Sequence, residues 1–230
     1  MSETGRHGRR AAVPAGVGGE SSGAKVSTSS TSGMGAVSTS STSGMFSVLV
    51  VCTGNICRSP LAEHLLRARF AAAGVAARVK SAGTRAMVGH DMTAEAAALA
   101  LEYGAADMPH AAQQLTPELI AEADLVVTAT REHRSAVVSM YPKSTRYAFT
   151  LKQLARLMAA VEARPAVGAG DFIEAIAASR GMTPPPADPL EDDIEDPYRQ
   201  SSAVYARTAA AIDAAVTTIS TGIIASVGKR

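Results

Sequence analysis

The sequence predicts one α/β domain, a four-stranded parallel sheet with helices on both faces, preceded by a polar tail. Three observations carry this. Short β-branched apolar runs alternate with segments of helical period along most of the chain. Those runs are continuous rather than alternating apolar and polar, as strands buried on both faces require. Residues 1–45 contain almost no Leu, Ile or aromatic side chain, so they bury too little surface to offset the entropy of ordering. With 230 residues, 47% of them hydrophobic, the remainder can build a sizeable core.

The tail holds a direct repeat, Val26 to Met34 recurring as Val37 to Met45, which reads as a tandem duplication of a Ser/Thr/Gly segment. Met34 or Met45 is the expected natural start of translation, and Arg6, Arg9 and Arg10 are read as solvated. The domain is expected over 46–228. Phe46 to Val51 is its first strand. Pro60 opens a helix to Ala73 that carries Leu61, Leu65, Leu66 and Phe70 on one side and stops at Gly74. Val79–Ala82 is the second strand and Thr93–Tyr103 the second helix. Thr116-Pro117 starts a helical turn over Glu118–Ala121. Leu125–Thr130 is the third strand, Arg131–Met140 a helix, and Arg146–Phe149 the fourth strand. Thr150 caps a helix bearing Leu151, Leu154, Leu157 and Met158. Residues 164–200 read as irregular, with one short helix over Asp171–Ser179 and an acidic run, Glu191 to Asp196. The last helix runs from Ser202 to about Ile224.

A net charge of +1 gives no electrostatic case for a nucleic-acid or membrane partner. No apolar run approaches the ~18 residues of a membrane helix, and the N-terminus lacks the apolar core of a secretion signal. Two cysteines in one loop cannot staple distant segments, so a reducing cytoplasm is the expected compartment.

That loop, Cys52 to Ser59, lies between the first strand and the first helix, where backbone N–H groups and the positive helix end gather around an anion. Gly54 permits close backbone approach and Asn55 tolerates unusual dihedrals. The field that holds a phosphate dianion also stabilises a thiolate at Cys52. Arg58 adds a permanent cation whose fork matches two phosphate oxygens, and the Ser59 hydroxyl can donate to the sulfur. The loop is therefore read as binding phosphate and attacking it with sulfur. A nucleotide-binding loop would need Gly-Lys-Ser/Thr. A zinc site would need about four ligands, and Cys52 and Cys57 have no His or acidic neighbour to complete one. The bland alternative is a pair of inert buried cysteines.

Cys52-Thr-Gly-Asn-Ile-Cys-Arg-Ser-Pro60 resembles the phosphate loop of the low-molecular-weight protein tyrosine phosphatases. Ser81-Ala-Gly-Thr84, Leu115-Thr-Pro-Glu-Leu119 with Ala123-Asp-Leu125, and Asp196-Pro-Tyr198 resemble later segments of that family, so the likeness covers about residues 46–225. It implies strand order 2-1-3-4, a reaction through phosphocysteine without metal or other cofactor, and a phosphotyrosine protein as substrate, a tyrosine kinase among the candidates. It implies Cys52 as nucleophile, Arg58 as the phosphate and transition-state ligand, and Asp196 as general acid and then base. Thr53, Gly54, Asn55, Ile56, Cys57 and Ser59 form the cradle. Asp188-Pro189 offers a second candidate acid; Asp196 is preferred because an aromatic follows it and the last helix begins soon after.

The chain departs from that family in three places. Arg85-Ala-Met87 replaces an expected aromatic wall, leaving Tyr198 as the main wall with Met87 opposite. An insertion of about 164–188 could cover the site or dock a partner. Gln113 stands where Arg is expected. Rival readings are an arsenate reductase, whose thioredoxin-coupled forms need two more cysteines, a protein-arginine phosphatase, which tends to carry Thr at the position of Ile56, and a phosphate-binding module without catalysis. Cys57 is either a small core residue or the partner of Cys52 in a reversible disulfide. His64, His90, His110 and His133 are read as structural or solvent-facing.

Overall fold

The computed structural model of the chain describes residues 45–161 and 168–227. The expectations about the tail and its repeat, Met45 apart, and about the first part of the insertion fall outside the described residues.

Four strands, β1 (Phe46–Cys52), β2 (Ala77–Gly83), β3 (Leu125–Thr128) and β4 (Ala148–Thr150), form one parallel sheet in the order β2-β1-β3-β4. β1 is central, and its apolar run is buried on both sides because successive side chains point to opposite faces. Val48 and Val50 enter one core with Leu65 and Phe70, while Leu49 and Val51 enter a second with Ile120 and Val137. Helices α1 (Arg58–Ala72), α2 (Ala94–Glu102), α5 (Leu151–Ala160) and α7 (Ser202–Val227) contribute to the first core, and α3 (Pro117–Ala121) and α4 (Arg131–Met140) to the second.

Four threonines set where helices begin. Thr93, Thr116, Thr130 and Thr150 each accept a hydrogen bond from the backbone N–H three residues on, at the N-caps of α2, α3, α4 and α5. Each cap of this kind is worth about 1 kcal/mol.

Boundaries differ from expectation in instructive ways. α1 begins at Arg58, not Pro60, so proline sits in the first turn, where an absent N–H breaks no helical bond. β2 is longer than Val79–Ala82 because its whole length pairs with β1. β4 starts at Ala148, not Arg146, because Pro142–Arg146 closes a 3-10 turn.

From Gly168 the segment read as irregular is folded into the core. Helix α6 (Ala169–Ala178) buries Phe172, Ile173 and Ile176. It packs close to α7 at Gly222, where a Cβ would stand 3.2 Å from the Phe172 ring and 3.3 Å from the Met158 sulfur. Just beyond, Arg180 lies over the Phe149 ring at 3.8 Å and donates to the carbonyls of Thr145 and Ala148. Among the described residues the insertion reaches β4, the sheet's edge strand, through Arg180, and none of them lines the cavities beside the phosphate loop.

The reading that nothing approaches a membrane helix needs one correction. α7 has the length and apolar composition for one. Its Ile212, Val216, Ile219 and Ile223 are instead core residues of this domain.

Candidate active site

The loop after β1 is held by a chain of hydrogen bonds whose polarity can be followed atom by atom. Asn55 adopts φ +57°, a left-handed conformation that its short polar side chain accommodates. Its Oδ1 accepts the Gln113 N–H at 2.9 Å, which turns Nδ2 toward Ser59 Oγ at 2.9 Å and Ser81 Oγ at 2.7 Å. Ser81 passes its own hydrogen to the Glu63 carboxylate at 2.5 Å, which Arg67 pairs with from the next turn of α1. Burial pushes the Glu63 carboxyl up, opposed by the Ser81 hydrogen bond and by Arg67. Ser59, already accepting from Asn55, is left to donate to Cys52 Sγ, 2.9 Å away. The Asn55 N–H also points at that sulfur, at 3.3 Å.

Segments from elsewhere clamp the same loop. The N–H groups of Thr84, Arg85 and Met87 donate to the carbonyls of Cys52, Thr53 and Gly54 at 2.9, 3.0 and 2.9 Å. His110 Nε2 lies 2.7 Å from the Asn55 carbonyl. Gly83 faces the Thr53 carbonyl so closely that a Cβ would come within 2.4 Å of it.

Arg58, in the first turn of α1, is nearly buried, its side chain 5% exposed. Its Nη2 meets Asp196 Oδ2 at 2.5 Å and its Nη1 donates to the Ile194 carbonyl at 3.2 Å. Its Nε is buried without a hydrogen-bond partner. Such a donor is costly to leave unmade, so this one suits an anion seated in the loop.

Asp196 is delivered by the acidic run, which is not a solvated loop. Asp188 and Glu191 cap a 3-10 turn over Pro189–Asp192. Asp192 pairs with Arg156 and Asp193 accepts the Arg131 N–H at the start of α4. Ile194 is buried and donates its N–H to the Ala129 carbonyl at 2.8 Å, and Glu195 pairs with Arg207. Asp196 remains half exposed at the end of this fastened segment. Asp188, by contrast, uses its carboxylate on the Leu190 N–H and lines neither cavity beside the loop.

A slot of about 220 Å³ is lined by Cys52, Ile56, Arg58, Met87, Asp196 and Tyr198 together. Thr53, Gly54, Cys57 and Arg85 complete its lining. A wider groove of about 620 Å³ adjoins it along Thr53, Arg58, Arg85 and Asp196 and extends to Thr84, Glu132 and His133. Cys57 Sγ lies 3.6 Å from both Thr93 Oγ1 and Tyr205 Oη, burial pushing its thiol up, and both cysteines are unbridged. Among the described residues no group of three or more His, Cys, Asp or Glu is placed to hold a metal.

Histidines are closer to the site than their scattered positions implied. His133 Nε2 lies 2.8 Å from Thr53 Oγ1 and its Nδ1 2.7 Å from Thr130 Oγ1. Burial, then the Arg58 cation, push its pKa from 6.5 down to about 4. The folded state thus binds the proton less well than the unfolded chain. The stability from neutral His133 is complete above about pH 6.5 and is lost as pH falls toward about 4, to the extent of roughly 2–3 kcal/mol. Thermal melts between these pH values should show that loss, and His133→Asn should flatten it. No sequence spacing marks His110, His133, Gln113 or Gly83 as neighbours of the loop, since Gly83 ends β2, His133 lies in α4, and His110 and Gln113 come from the connection between α2 and α3.

The fold and this loop define a parallel α/β protein with an anion cradle that presents a cysteine sulfur. Residues 47–163 match the family model described as low molecular weight phosphotyrosine protein phosphatase, and the chain belongs to that family. It is 44% identical over 97 residues to the low molecular weight protein-tyrosine-phosphatase Etp of Escherichia coli K12, spanning 42% of this chain and 63% of that relative. It is 36% identical over 106 residues to a protein-arginine-phosphatase of Bacillus subtilis, spanning 46% of this chain and 70% of that one. The structure of Vibrio vulnificus Wzb, in complex with benzylphosphonate, superposes with a TM-score of 0.56 at 26% identity, covering 77% of this chain and 99% of that one.

Proposed function

We propose that the chain hydrolyses aryl phosphate monoesters, protein phosphotyrosine first among them, through a phosphocysteine on Cys52. One observation carries this reading: a single slot is lined by the Cys52 sulfur, the Arg58 guanidinium and the Asp196 carboxyl. The Cys52 thiolate attacks phosphorus, the S–P bond forms as the P–O(aryl) bond breaks, and Asp196 gives its proton to the departing phenolate oxygen. Water then attacks phosphorus while Asp196 takes its proton, and the S–P bond breaks to release inorganic phosphate. The Ser59 hydroxyl stabilises the sulfur as it leaves. A phosphate dianion competes with Asp196 for Arg58, so substrate binding itself frees the carboxyl to carry a proton.

Apolar Ile56, with Met87 and Tyr198 as walls, favours a flat aryl group over a guanidinium or a small alkyl chain. The compartment proposed is the cytoplasm, and tyrosine kinases are among the protein substrates to test. Cys57 remains proposed as a reversible disulfide partner of Cys52. The deciding assay compares phosphotyrosine, phosphoarginine and phosphoserine peptides, with arsenate alongside. Faster turnover of phosphoarginine would replace the tyrosine reading with the arginine one.

Asp196→Ala should lower kcat by about 10²–10⁴-fold for aryl phosphates with poor leaving groups, and far less for good ones. Rates across phenols of graded acidity check this. An unchanged dependence on leaving group would take the acid role away from Asp196.

A further inference from the structure

Arg85 borders both the narrow slot and the wider groove. Its backbone is fixed, its N–H on the Thr53 carbonyl at 3.0 Å and the next N–H on Gln114 Oε1 at 3.0 Å. Its side chain is exposed and enters none of the ion pairs formed among the described residues. The other charges facing these cavities are differently disposed. Arg58 and Asp196 hold each other. Buried His133 is neutral near pH 7. Glu132 borders the groove but not the slot. Among the described residues that line both cavities, Arg85 is thus the cation without an ion-pair partner; Arg199, over the Tyr198 ring, lines neither.

Slot and groove share Thr53, Arg58, Arg85 and Asp196 in their linings, so a peptide with its phosphoaryl group in the slot and its neighbouring residues along the groove runs past Arg85. We infer that Arg85 is a specificity-determining residue that binds an acidic group beside the phosphotyrosine, so that the preferred substrates are acidic phosphotyrosine peptides. This inference rests on the phosphatase reading above. Glu132, confined to the groove, disfavours further acidic residues along it, so the selection is for a neighbouring carboxylate rather than for general negative charge.

The test uses the full chain and two phosphotyrosine peptides that differ only in carrying aspartate or lysine on either side of the phosphotyrosine, with a small aryl phosphate as the third substrate. The aspartate peptide should have a kcat/KM about fivefold above the lysine peptide at low salt, the size of one exposed charge pair. The ratio should shrink toward one in about 1 M salt, where such pairs are screened. Arg85→Glu should invert it. A ratio near one in the unaltered chain, or a ratio unmoved by Arg85→Glu, overturns the inference while turnover of the small aryl phosphate leaves the phosphatase reading standing. Absence of turnover on the aryl phosphate ends both.

Discussion

Cys52→Ser should lower turnover of an aryl phosphate by about 10⁴-fold or more, while oxyanion binding to the loop stays measurable. A serine hydroxyl holds its proton far more tightly than a thiol and, within this cradle, has no base to take it. The nearest groups are the Ser59 hydroxyl and the Asn55 N–H, both donors toward that position. The anion's ligands are untouched, since Arg58 and the loop N–H groups do not depend on sulfur. Steady-state kinetics with calorimetric titration of phosphate or vanadate separates the two effects. Retained turnover would end the phosphocysteine mechanism.

Gly83→Ala should be the most damaging substitution outside the loop itself. A methyl group there would stand 2.4 Å from the Thr53 carbonyl oxygen and 3.0 Å from the Ala86 Cα, and both neighbours are backbone. No side-chain rotation relieves such a clash, so either β2 separates from β1 or the loop shifts. The first course breaks the pairing of Cys52 with Gly83 and the Gly83–Gln113 and Gly83–Leu115 hydrogen bonds. The second moves the carbonyls that Thr84, Arg85 and Met87 clamp. A loss of several kcal/mol in stability is expected, with a fall in kcat of about 10²-fold in whatever remains folded, because catalytic groups tolerate little displacement. Chemical denaturation and single-turnover kinetics measure these separately. Stability and kcat both within error of the unaltered chain would show that the loop does not depend on this close approach.

Much of the architecture was legible because it depends on local chemistry. Val48 to Val51 declares a strand buried on both faces, and Thr116 and Thr150 each mark a helix start by an oxygen that caps it, whereas Thr130, read as the end of a strand, lies past β3 and caps α4. The misread boundaries arose where two local preferences compete. Tyr141 to Tyr147 has β-compatible residues, yet Pro142 and the Ser144 hydroxyl, bonded to the Tyr141 carbonyl, favour a tight turn before β4. The short helix over Asp171–Ser179 was legible as α6, but not its place in the core, because its apolar residues serve a contact with α7 that exists only in the folded chain. The loop and its nucleophile could be read from one motif, since all its members are adjacent. The support for it could not, because Gln113, His110 and Glu63 reach Asn55 or Ser81 through space, and nothing in their spacing records that. The acidic run is the clearest case. Its composition reads as a solvated loop, whereas most of its carboxylates have a partner that helps to fix where Asp196 stands.

The covering of β4 has a consequence for the molecule in a crowded solution. An edge strand offers unpaired carbonyls and N–H groups to any other chain that can extend the sheet. Here the Ala148 carbonyl already receives two guanidinium groups, Arg134 from α4 and Arg180 from beyond α6, and the Arg180 plane lies over Phe149. A second strand arriving at that edge would have to displace a half-buried cation stacked on an aromatic ring. Arg180 thus occupies the outward-facing carbonyl that a further strand would need, and removing it should leave that edge open to another copy of the chain.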